Sequence, residues 1–324
     1  MVTPTICFRA DASAAIGTGH VTRCLTLADE VSRRGALCLF VAAAGTRELV
    51  PSLPYPVLPP ERLPFGAALV VVDHYGIDAA EEARIRSMSR AVMVMDDLPI
   101  RRHHCDLLLD QTFGRRAEEY RDLAPHNSIV LAGSEYALLR PQFAAARPAA
   151  LARRDGSLRR LLVSLGGTDP DNVTGAVLEA IAGSDLAIDV VMGAKAPHLE
   201  AVRAQAATLP RAAVHVGVSD MAGLMAGADL AIGAGGTSTW ERCCLGLPTL
   251  MLVIADNQRD VARLVAESGA ARLIAVTDLP AALAVSPGDL RAMSSATARL
   301  CDGRGAARVA DALRRLPSLK GLAP

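Results

Sequence analysis

The sequence has few aromatic residues and no formal net charge, and both features argue against nucleic-acid binding. Only 3% of the 324 residues are aromatic, and 34 basic side chains are matched by 34 acidic ones. Nucleic-acid-binding proteins need a basic face for phosphates, and single strands are commonly bound by aromatic stacking. We therefore expect no nucleic-acid partner.

The sequence also lacks the signals of an exported or membrane-spanning protein. The N-terminal stretch MVTPTICFRADAS has no basic leader followed by an apolar run. No apolar stretch reaches the roughly 18 residues that span a bilayer. The seven cysteines are scattered and odd in number, as is usual in a reducing compartment. These absences predict a cytoplasmic protein with no membrane partner.

Several motifs for catalysis and metal binding are missing as well. There is no G-x-S-x-G nucleophile turn and no G-x-x-x-x-G-K-[ST] phosphate loop. Neither H-x-x-x-H nor C-x-x-C occurs, and the adjacent side chains of HHCD at 103–106 point in different directions. Cys243 and Cys244 diverge on a predicted helix and are expected to be buried rather than redox-active. The sequence therefore predicts no metal and no cofactor.

What is present is a regular alternation of short apolar strands with amphipathic helices. Such alternation predicts βαβ units and parallel sheets, and the apolar fraction of 51% is ample for two cores. The predicted strands are residues 5–10, 36–42, 68–73, 91–95, 106–110, 161–165, 187–192, 213–216, 229–232, 249–254 and 271–276. The fold class predicted is α/β, with two Rossmann-like domains.

Residues 144–157, AAARPAALARRDGS, interrupt the alternation and predict an inter-domain connection. The predicted domains are 1–147 and 157–302, followed by a helical segment, 303–324, that packs back toward the first domain. Ligands of open parallel sheets lie beyond the carboxyl ends of the strands. We therefore expect the ligand in a cleft between the domains.

The first motif at a predicted strand end is RADASAAIGTGHVTR, residues 9–23. Gly17 and Gly19 allow close approach of a ligand, and the helix that begins near His20 offers backbone N–H groups to an anion. A tight turn with a capping histidine is the plain structural alternative. The motif lacks the third glycine of a dinucleotide fingerprint.

The second motif is GAGGTSTWERCCLGLP, residues 233–248. Its glycines and hydroxyls predict a turn that holds a phosphate, and a carboxylate one helical turn later can accept both hydroxyls of a ribose. The alternative is a helix start whose acid complements the dipole. The residues concerned are Gly235, Gly236, Thr237, Ser238 and Glu241.

Three further strand ends carry polar or glycine residues, although each also fits an ordinary turn or helix cap. They are LLVSLGGTDPDN at 161–172, VVVDHYGID at 70–78 and ADNQ at 255–258. The candidate ligand contacts in them are Gly166, Gly167, Asp73, Tyr75, Asn257 and Gln258.

Together these motifs resemble the UDP-2,4-diacetamido-2,4,6-trideoxy-β-L-altropyranose hydrolases of pseudaminic acid biosynthesis. The matching pieces are R-A-D-A-S-x-x-I-G-x-G-H-x-x-R-C-L-x-L-A, V-D-H-Y-G, D-D-L-x-x-R-x-H-x-C-D-L-L-L-D-Q, Y-A-L-L-R-P-x-F, S-L-G-G-T-D-P-x-N and G-A-G-G-T-S-T-W-E-R-C-C-L-G-L-P. They occur in the expected order over about residues 8–258. The family is similar in fold to the two-domain, GT-B-like glycosyltransferases that use UDP-sugars.

The resemblance implies a role for each candidate residue. His20 would be the catalytic base, Tyr75 would lie near the sugar, Glu241 would hold the ribose, and the turn at 235–238 would meet the diphosphate. Hydrolysis by direct attack of water would invert the anomeric centre. The full set of implied substrate-binding residues is Gly17, Gly19, Arg23, Asp73, Tyr75, Gly166, Gly167, Gly235, Gly236, Thr237, Ser238, Glu241, Asn257 and Gln258.

Three other functions remain open on the same fold. A glycosyltransferase would pass the sugar to an acceptor. A hydrolysing UDP-sugar 2-epimerase would pair acids with histidines, for which Asp96 or Asp97 with His103 or His104 are candidates. A nucleotide-sugar sensor would bind without turnover. We predict a monomer whose partner is a small-molecule UDP-sugar.

Overall fold

The computed structural model describes residues 3–13 and 16–324 of the chain. It separates into two units. The first comprises Met1–Leu139 with Arg304–Pro324, and the second comprises Arg140–Gly303. Each unit is built on one parallel sheet.

The first unit contains a seven-stranded sheet in the order β3-β2-β1-β4-β5-β6-β7, with every neighbouring pair parallel. Its elements are β1 Thr5–Ala10, α1 Gly19–Arg33, β2 Leu37–Val41, α2 Thr46–Leu49, β3 Val57–Leu58, β4 Leu69–Asp73, α3 Ala79–Met88, β5 Val92–Met95, β6 Leu107–Asp110 and β7 Ile129–Ala132. The order of the first strands is that of a doubly wound fold.

The strands of this sheet are apolar on both sides because helices cover both faces. In β4, Leu69 and Val71 belong to one hydrophobic core, whereas Val70 and Val72 belong to another on the opposite face. This alternation explains why a continuous apolar run, and not a two-residue pattern, marks the strand.

The second unit contains a six-stranded parallel sheet in the order β10-β9-β8-β11-β12-β13. Its elements are α4 Pro141–Ala152, β8 Arg160–Ser164, α5 Val173–Ala180, β9 Ala187–Met192, α6 Leu199–Ala206, β10 Ala212–Val216, α7 Met221–Gly227, β11 Leu230–Ala234, α8 Ser238–Cys244, β12 Thr249–Leu252, α9 Arg259–Glu267, β13 Ala271–Leu273, α10 Leu279–Ala282 and α11 Pro287–Leu300. The chain then returns to the first unit with α12, Gly305–Leu313.

Residues 144–157 are not the connection that the sequence predicts. Most of them lie in α4, which belongs to the second unit, where Arg147 donates hydrogen bonds to the carbonyls of Cys301 and Ala298. Alanine favours a helix, and Pro141 suits its first turn, so the segment is helical despite Pro148 within it. The units therefore divide between residues 139 and 140 and between 303 and 304, not at 147 and 157.

The helix α12 packs on α1 within the first unit. Val309 and Leu313 join the core beneath α1, and Arg34 Nη1 lies 2.5 Å from Asp311 Oδ1. The C-terminal segment is thus an integral part of this unit.

Each sheet reverses its strand order next to its first strand, and the motif-bearing loops leave the sheet there. In the first unit β1 and β4 are neighbours, with Ala10 opposite Asp73. In the second unit β8 and β11 are neighbours, with Ser164 opposite Gly233. Ligands of open α/β sheets bind beyond the strand ends at such positions.

Within residues 3–13 and 16–324, no helix combines the length and the apolar character needed to cross a membrane.

Candidate active site

His20 and Asp73 meet at the point where the strand order of the first sheet reverses. His20 lies in the first turn of α1, and Asp73 is the last residue of β4. The Nδ1 atom of His20 is 2.6 Å from Oδ1 of Asp73. The two residues are far apart in the sequence, and the pairing of β1 with β4 brings them together.

Arg23, one helical turn after His20, binds the same carboxylate with two parallel hydrogen bonds. Its Nε donates to Oδ2 of Asp73 and its Nη2 to Oδ1, each at 2.6 Å. Burial on its own would raise the pKa of Asp73, but Arg23 and His20 together hold it well below its usual range. Asp73 is therefore ionised near neutral pH.

The ionised state of Asp73 determines which nitrogen of His20 carries the proton. A carboxylate only accepts hydrogen bonds, so Nδ1 of His20 must be the donor. The neutral ring then keeps its lone pair on Nε2. The side chain of His20 is 13% exposed, enough for a water molecule to reach it. This is the arrangement of a histidine general base oriented by an aspartate.

The sequence predicts that Asp73 and Arg23 contact the substrate, and the structure leaves little of either side chain exposed. The side chain of Asp73 is completely buried and that of Arg23 is only 6% exposed. Most of their polar atoms are directed at each other and at His20, while Nη1 of Arg23 lies 3.7 Å from Oδ2 of Asp97. The pair is therefore placed to position the histidine.

Tyr75 packs edge-on against the imidazole of His20, with 5.0 Å between ring centroids. Its hydroxyl donates to Oδ1 of Asp97 at 2.7 Å. Burial, reinforced by Asp97, raises the pKa of Tyr75, so the phenol stays protonated. Tyr75 is also 39% exposed, so part of its side chain is accessible.

A second His–Asp pair beside this cluster was not singled out from the sequence. Asp11 accepts two hydrogen bonds from Arg9 and one from the backbone N–H of Ala43. The Nε2 atom of His74 lies 3.2 Å from Oδ2 of Asp11. Asp11 thereby ties together the loops after β1, β2 and β4. In the sequence, Asp11 is a single acidic residue after a predicted strand, and this pattern is too common to indicate a functional site.

The glycines of the first motif lie in the loop before α1 and at the start of that helix. Gly17 has a φ of +73°, a conformation that other residues adopt only with strain, and its N–H donates to the carbonyl of Ser13 at 2.8 Å. Gly19 is the first residue of α1. Ala14 and Ala15, in the same motif, lie outside the described residues.

In the second unit, two glycine turns follow the neighbouring strands β8 and β11. Gly166 has a φ of +105°, and a Cβ atom added at Gly166, Gly167 or Gly236 would meet no atom within 4 Å. The backbone at these three positions is therefore open to a ligand. Gly235 is different, because a Cβ there would lie 3.1 Å from Gln258.

The two amides of ADNQ have different surroundings. The Oε1 atom of Gln258 accepts hydrogen bonds from the backbone N–H groups of Gly235 and Ile254, at 3.3 and 3.4 Å. Gln258 thus joins the loops after β11 and β12. Asn257, in the short 3₁₀ helix Asp256–Gln258, is exposed and its side chain is available for contact.

Glu241 lies one turn into α8, beyond Thr237 and Ser238. Its side chain is 17% exposed, and Arg140 lies 3.6 Å from Oε1, too far for a hydrogen bond. Burial raises the pKa of Glu241, with Arg140 acting in the opposite direction. The carboxylate therefore retains acceptor capacity for a hydroxyl pair.

The acid–histidine pairing suggested for an epimerase is present but inaccessible. The Nδ1 and Nε2 atoms of His103 lie 2.9 Å from Glu82 and 3.0 Å from Asp96, and all three side chains are completely buried. These groups cannot touch a sugar in this arrangement. No group of three or more potential metal ligands clusters anywhere in the described part of the chain.

These geometries define a protein with two Rossmann-like domains of parallel sheet, in the GT-B-like arrangement of elements that the sequence predicts. The fold is confirmed by MurG from Acinetobacter baumannii, with a TM-score of 0.67 and 14% identity over 96% of this chain and 99% of that one. No protein-family model matches the chain.

Two curated relatives are similar in sequence. The spore coat polysaccharide biosynthesis protein SpsG of Bacillus subtilis is 34% identical over 206 residues, 59% of each chain. The UDP-2,4-diacetamido-2,4,6-trideoxy-β-L-altropyranose hydrolase of Campylobacter jejuni is 32% identical over 152 residues, 43% of this chain and 53% of that one. The resemblance predicted from the motifs is thus confirmed, although the match spans only about half to three-fifths of these relatives' length.

Proposed function

We propose that this chain hydrolyses a UDP-linked, di-N-acetylated trideoxy sugar to the free sugar and UDP, with His20 as the base that activates water. The observation that carries the proposal is the 2.6 Å contact between Nδ1 of His20 and the ionised carboxylate of Asp73. It leaves Nε2 as the basic atom of a partly exposed ring. The name of the C. jejuni relative supports the class of substrate.

In the proposed reaction a water oxygen attacks the anomeric carbon of the sugar while a water proton passes to Nε2 of His20. The bond between that carbon and the diphosphate oxygen breaks, and UDP leaves with the bonding electron pair. Asp73 stabilises the imidazolium that forms. A single direct displacement inverts the anomeric centre, as in inverting glycosidases.

The second unit is proposed to hold the UDP. The open backbone at Gly166, Gly167 and Gly236 suits the close approach of a diphosphate, whose charge N–H donors stabilise as it leaves. Glu241, with a carboxylate that is only weakly engaged, is proposed to accept the ribose hydroxyls. Tyr75 is proposed to lie near the sugar, and Asn257 is proposed to contact the substrate.

The test is incubation with UDP-sugars in ¹⁸O-labelled water without any acceptor. The proposal predicts free reducing sugar that carries one ¹⁸O atom and UDP that carries none, because the carbon–oxygen bond is the one that breaks. Label in the UDP would mean attack at phosphorus and would contradict it. No turnover until an acceptor is added would instead identify a glycosyltransferase.

The configuration of the product at C2 separates hydrolysis from hydrolytic epimerisation. The proposal predicts that C2 is unchanged, because water attacks the anomeric carbon and no step of the proposed reaction removes the proton from C2. Inversion at C2, with solvent deuterium incorporated there, would identify an epimerase.

A further inference from the structure

Arg242 is a buried arginine directly beneath the glycine-rich turn after β11. It lies in α8 and is 1% exposed. Its Nη2 donates to the carbonyl of Ala234 at 2.7 Å and to Oγ1 of Thr239 at 3.2 Å, and its Nη1 donates to Oγ of Ser238 at 3.1 Å. These bonds attach the guanidinium to both ends of the turn at residues 235–237.

The acceptors of this guanidinium are all neutral oxygens. Among residues 3–13 and 16–324, Arg242 forms no ion pair within 4.0 Å, although Glu241 acts on it electrostatically, and its Nε has no hydrogen-bond partner. Burial lowers the pKa of Arg242 to about 10, which still leaves it charged near neutrality. A buried charge without a counter-charge is costly, and proteins usually pair such groups.

The guanidinium of Arg242 fits in this position because residue 233 is a glycine. A Cβ atom at Gly233 would lie 2.6 Å from Nη1 and 2.7 Å from Cζ of Arg242. Gly233 in β11 and Arg242 in α8 are therefore coupled, because any larger residue at 233 would push the guanidinium away from the turn.

We propose that Arg242 is a positioning residue that holds a fixed positive charge beneath the turn, where it stabilises a nucleoside diphosphate bound to the outer side. The inference rests on the proposed function, since it takes this turn as the diphosphate site. In a medium less polar than water, a charge separated from a dianion by one layer of backbone still acts strongly. Glu241 acts on Arg242 electrostatically without forming an ion pair with it, and the bound ligand adds a further counter-charge.

The test compares UDP with uridine, which shares the base and ribose but has no phosphate charge. In Arg242→Gln we expect the dissociation constant of UDP to rise about tenfold or more, equivalent to about 1.4 kcal/mol or more. That of uridine should stay within about twofold.

Arg154 provides a matched control in the same unit. It is a second arginine that burial shifts to a pKa of about 10, and it donates to the carbonyls of Met225, Ala228 and Leu245. Ala228 precedes β11 and Ala234 ends it, so the two guanidinium groups lie at opposite ends of the strand. Arg154→Gln should change neither dissociation constant.

Arg242→Lys keeps the positive charge but lacks the planar guanidinium group. It is the second variant of the test and replaces the glutamine variant if that variant does not fold. The inference predicts that it preserves most of the preference for UDP over uridine. The inference would be overturned if the lysine variant lost the preference for UDP over uridine. It would also be overturned if the glutamine variant lost equal affinity for both ligands, which would indicate a purely structural role. Wild-type protein that binds UDP no better than uridine would overturn the proposed function as well, so the two failures are distinguishable.

Discussion

Replacing Asp73 by asparagine removes one charge from the site while keeping the shape of the side chain. Asp73 accepts two hydrogen bonds from Arg23 and one from His20, all at 2.6 Å. An amide offers only one acceptor oxygen, and its NH₂ group is able to donate to Nδ1 of His20. That donation would select the tautomer with its proton on Nε2, which cannot act as a base.

The expected loss of turnover follows from these contacts. One general base contributes about 10²–10⁴ to the rate, and a histidine held in the wrong tautomer loses nearly all of it. We therefore expect Asp73→Asn to lower kcat by about 10³, equivalent to roughly 4 kcal/mol of transition-state stabilisation. The variant also leaves a buried arginine without its counter-charge, which costs about 3–5 kcal/mol of folding stability.

The assay must separate lost catalysis from lost stability. Asp110 offers a matched control, because it is another buried aspartate at a strand end and accepts hydrogen bonds from Arg115 and Tyr120 at 2.6 and 2.8 Å. Asp110→Asn removes an acceptor oxygen from Arg115 and Tyr120 and should leave kcat within about threefold. Single-turnover rates of UDP release from both variants, measured well below their melting temperatures, make the comparison.

An Asp73→Asn variant that is folded and turns over within about threefold of wild type would refute the reasoning. An equal loss of kcat in Asp110→Asn would also refute it, because the loss would then come from a less stable sheet and not from the altered tautomer of His20. Binding of UDP should be unchanged in both variants, since the proposed nucleotide site lies on the second unit.

Two further predictions concern Glu241 and His103. Glu241→Gln should weaken UDP by about 10–100-fold, the range for a hydrogen bond to a charged group, but should barely affect 2′,3′-dideoxy-UDP, which lacks both hydroxyls. Equal effects on the two nucleotides, measured by calorimetry, would remove the ribose assignment. Burial alone would lower the pKa of His103, but Asp96 and Glu82 raise it, so the folded state holds its proton more tightly than the unfolded chain. This contribution to stability is complete below the unfolded pKa, near 6.5, and is lost as pH rises through the higher folded pKa. Thermal melts of wild type from pH 6 to 9 should therefore show a decline that His103→Gln lacks; parallel pH curves would contradict it.

The sheets were largely predictable because their strands carry the signal in the sequence itself. Predicted strands 5–10 and 187–192 agree with β1 and β9 at both ends, since strands buried on both faces are mainly apolar. The short edge strand β3 and the strand β7 were not predicted. Both are short and only partly buried, and β3 has only two residues, although the IVLA run of β7 carries an apolar signal that was not used.

Helices without a simple apolar stripe were harder to predict. The helix α4 was taken for a connection because Pro148 and scattered arginines outweighed its alanines. The helix α11 was missed as well, although Ser286 caps it by accepting from the N–H of Asp289 and Pro287 occupies its first position. A capping signal was present there but was not used.

The individual site residues were predictable, but their partnerships were not. Glycines and polar residues after strands identified His20, Asp73 and Glu241. That Arg23 binds Asp73 depends on β1 and β4 being neighbours, a consequence of strand order that no local pattern encodes. The contacts of Arg242 with Ala234, Ser238 and Thr239 are likewise invisible in the sequence, because they depend on how α8 packs beneath the turn.

The most direct test of the account is the turnover of His20→Asn, measured beside its affinity for UDP. Asparagine keeps a polar side chain at the start of α1 but has no basic nitrogen. The account predicts that kcat falls by about 10²–10⁴ while the dissociation constant of UDP stays within about twofold. Turnover at the wild-type rate by the folded variant would contradict it.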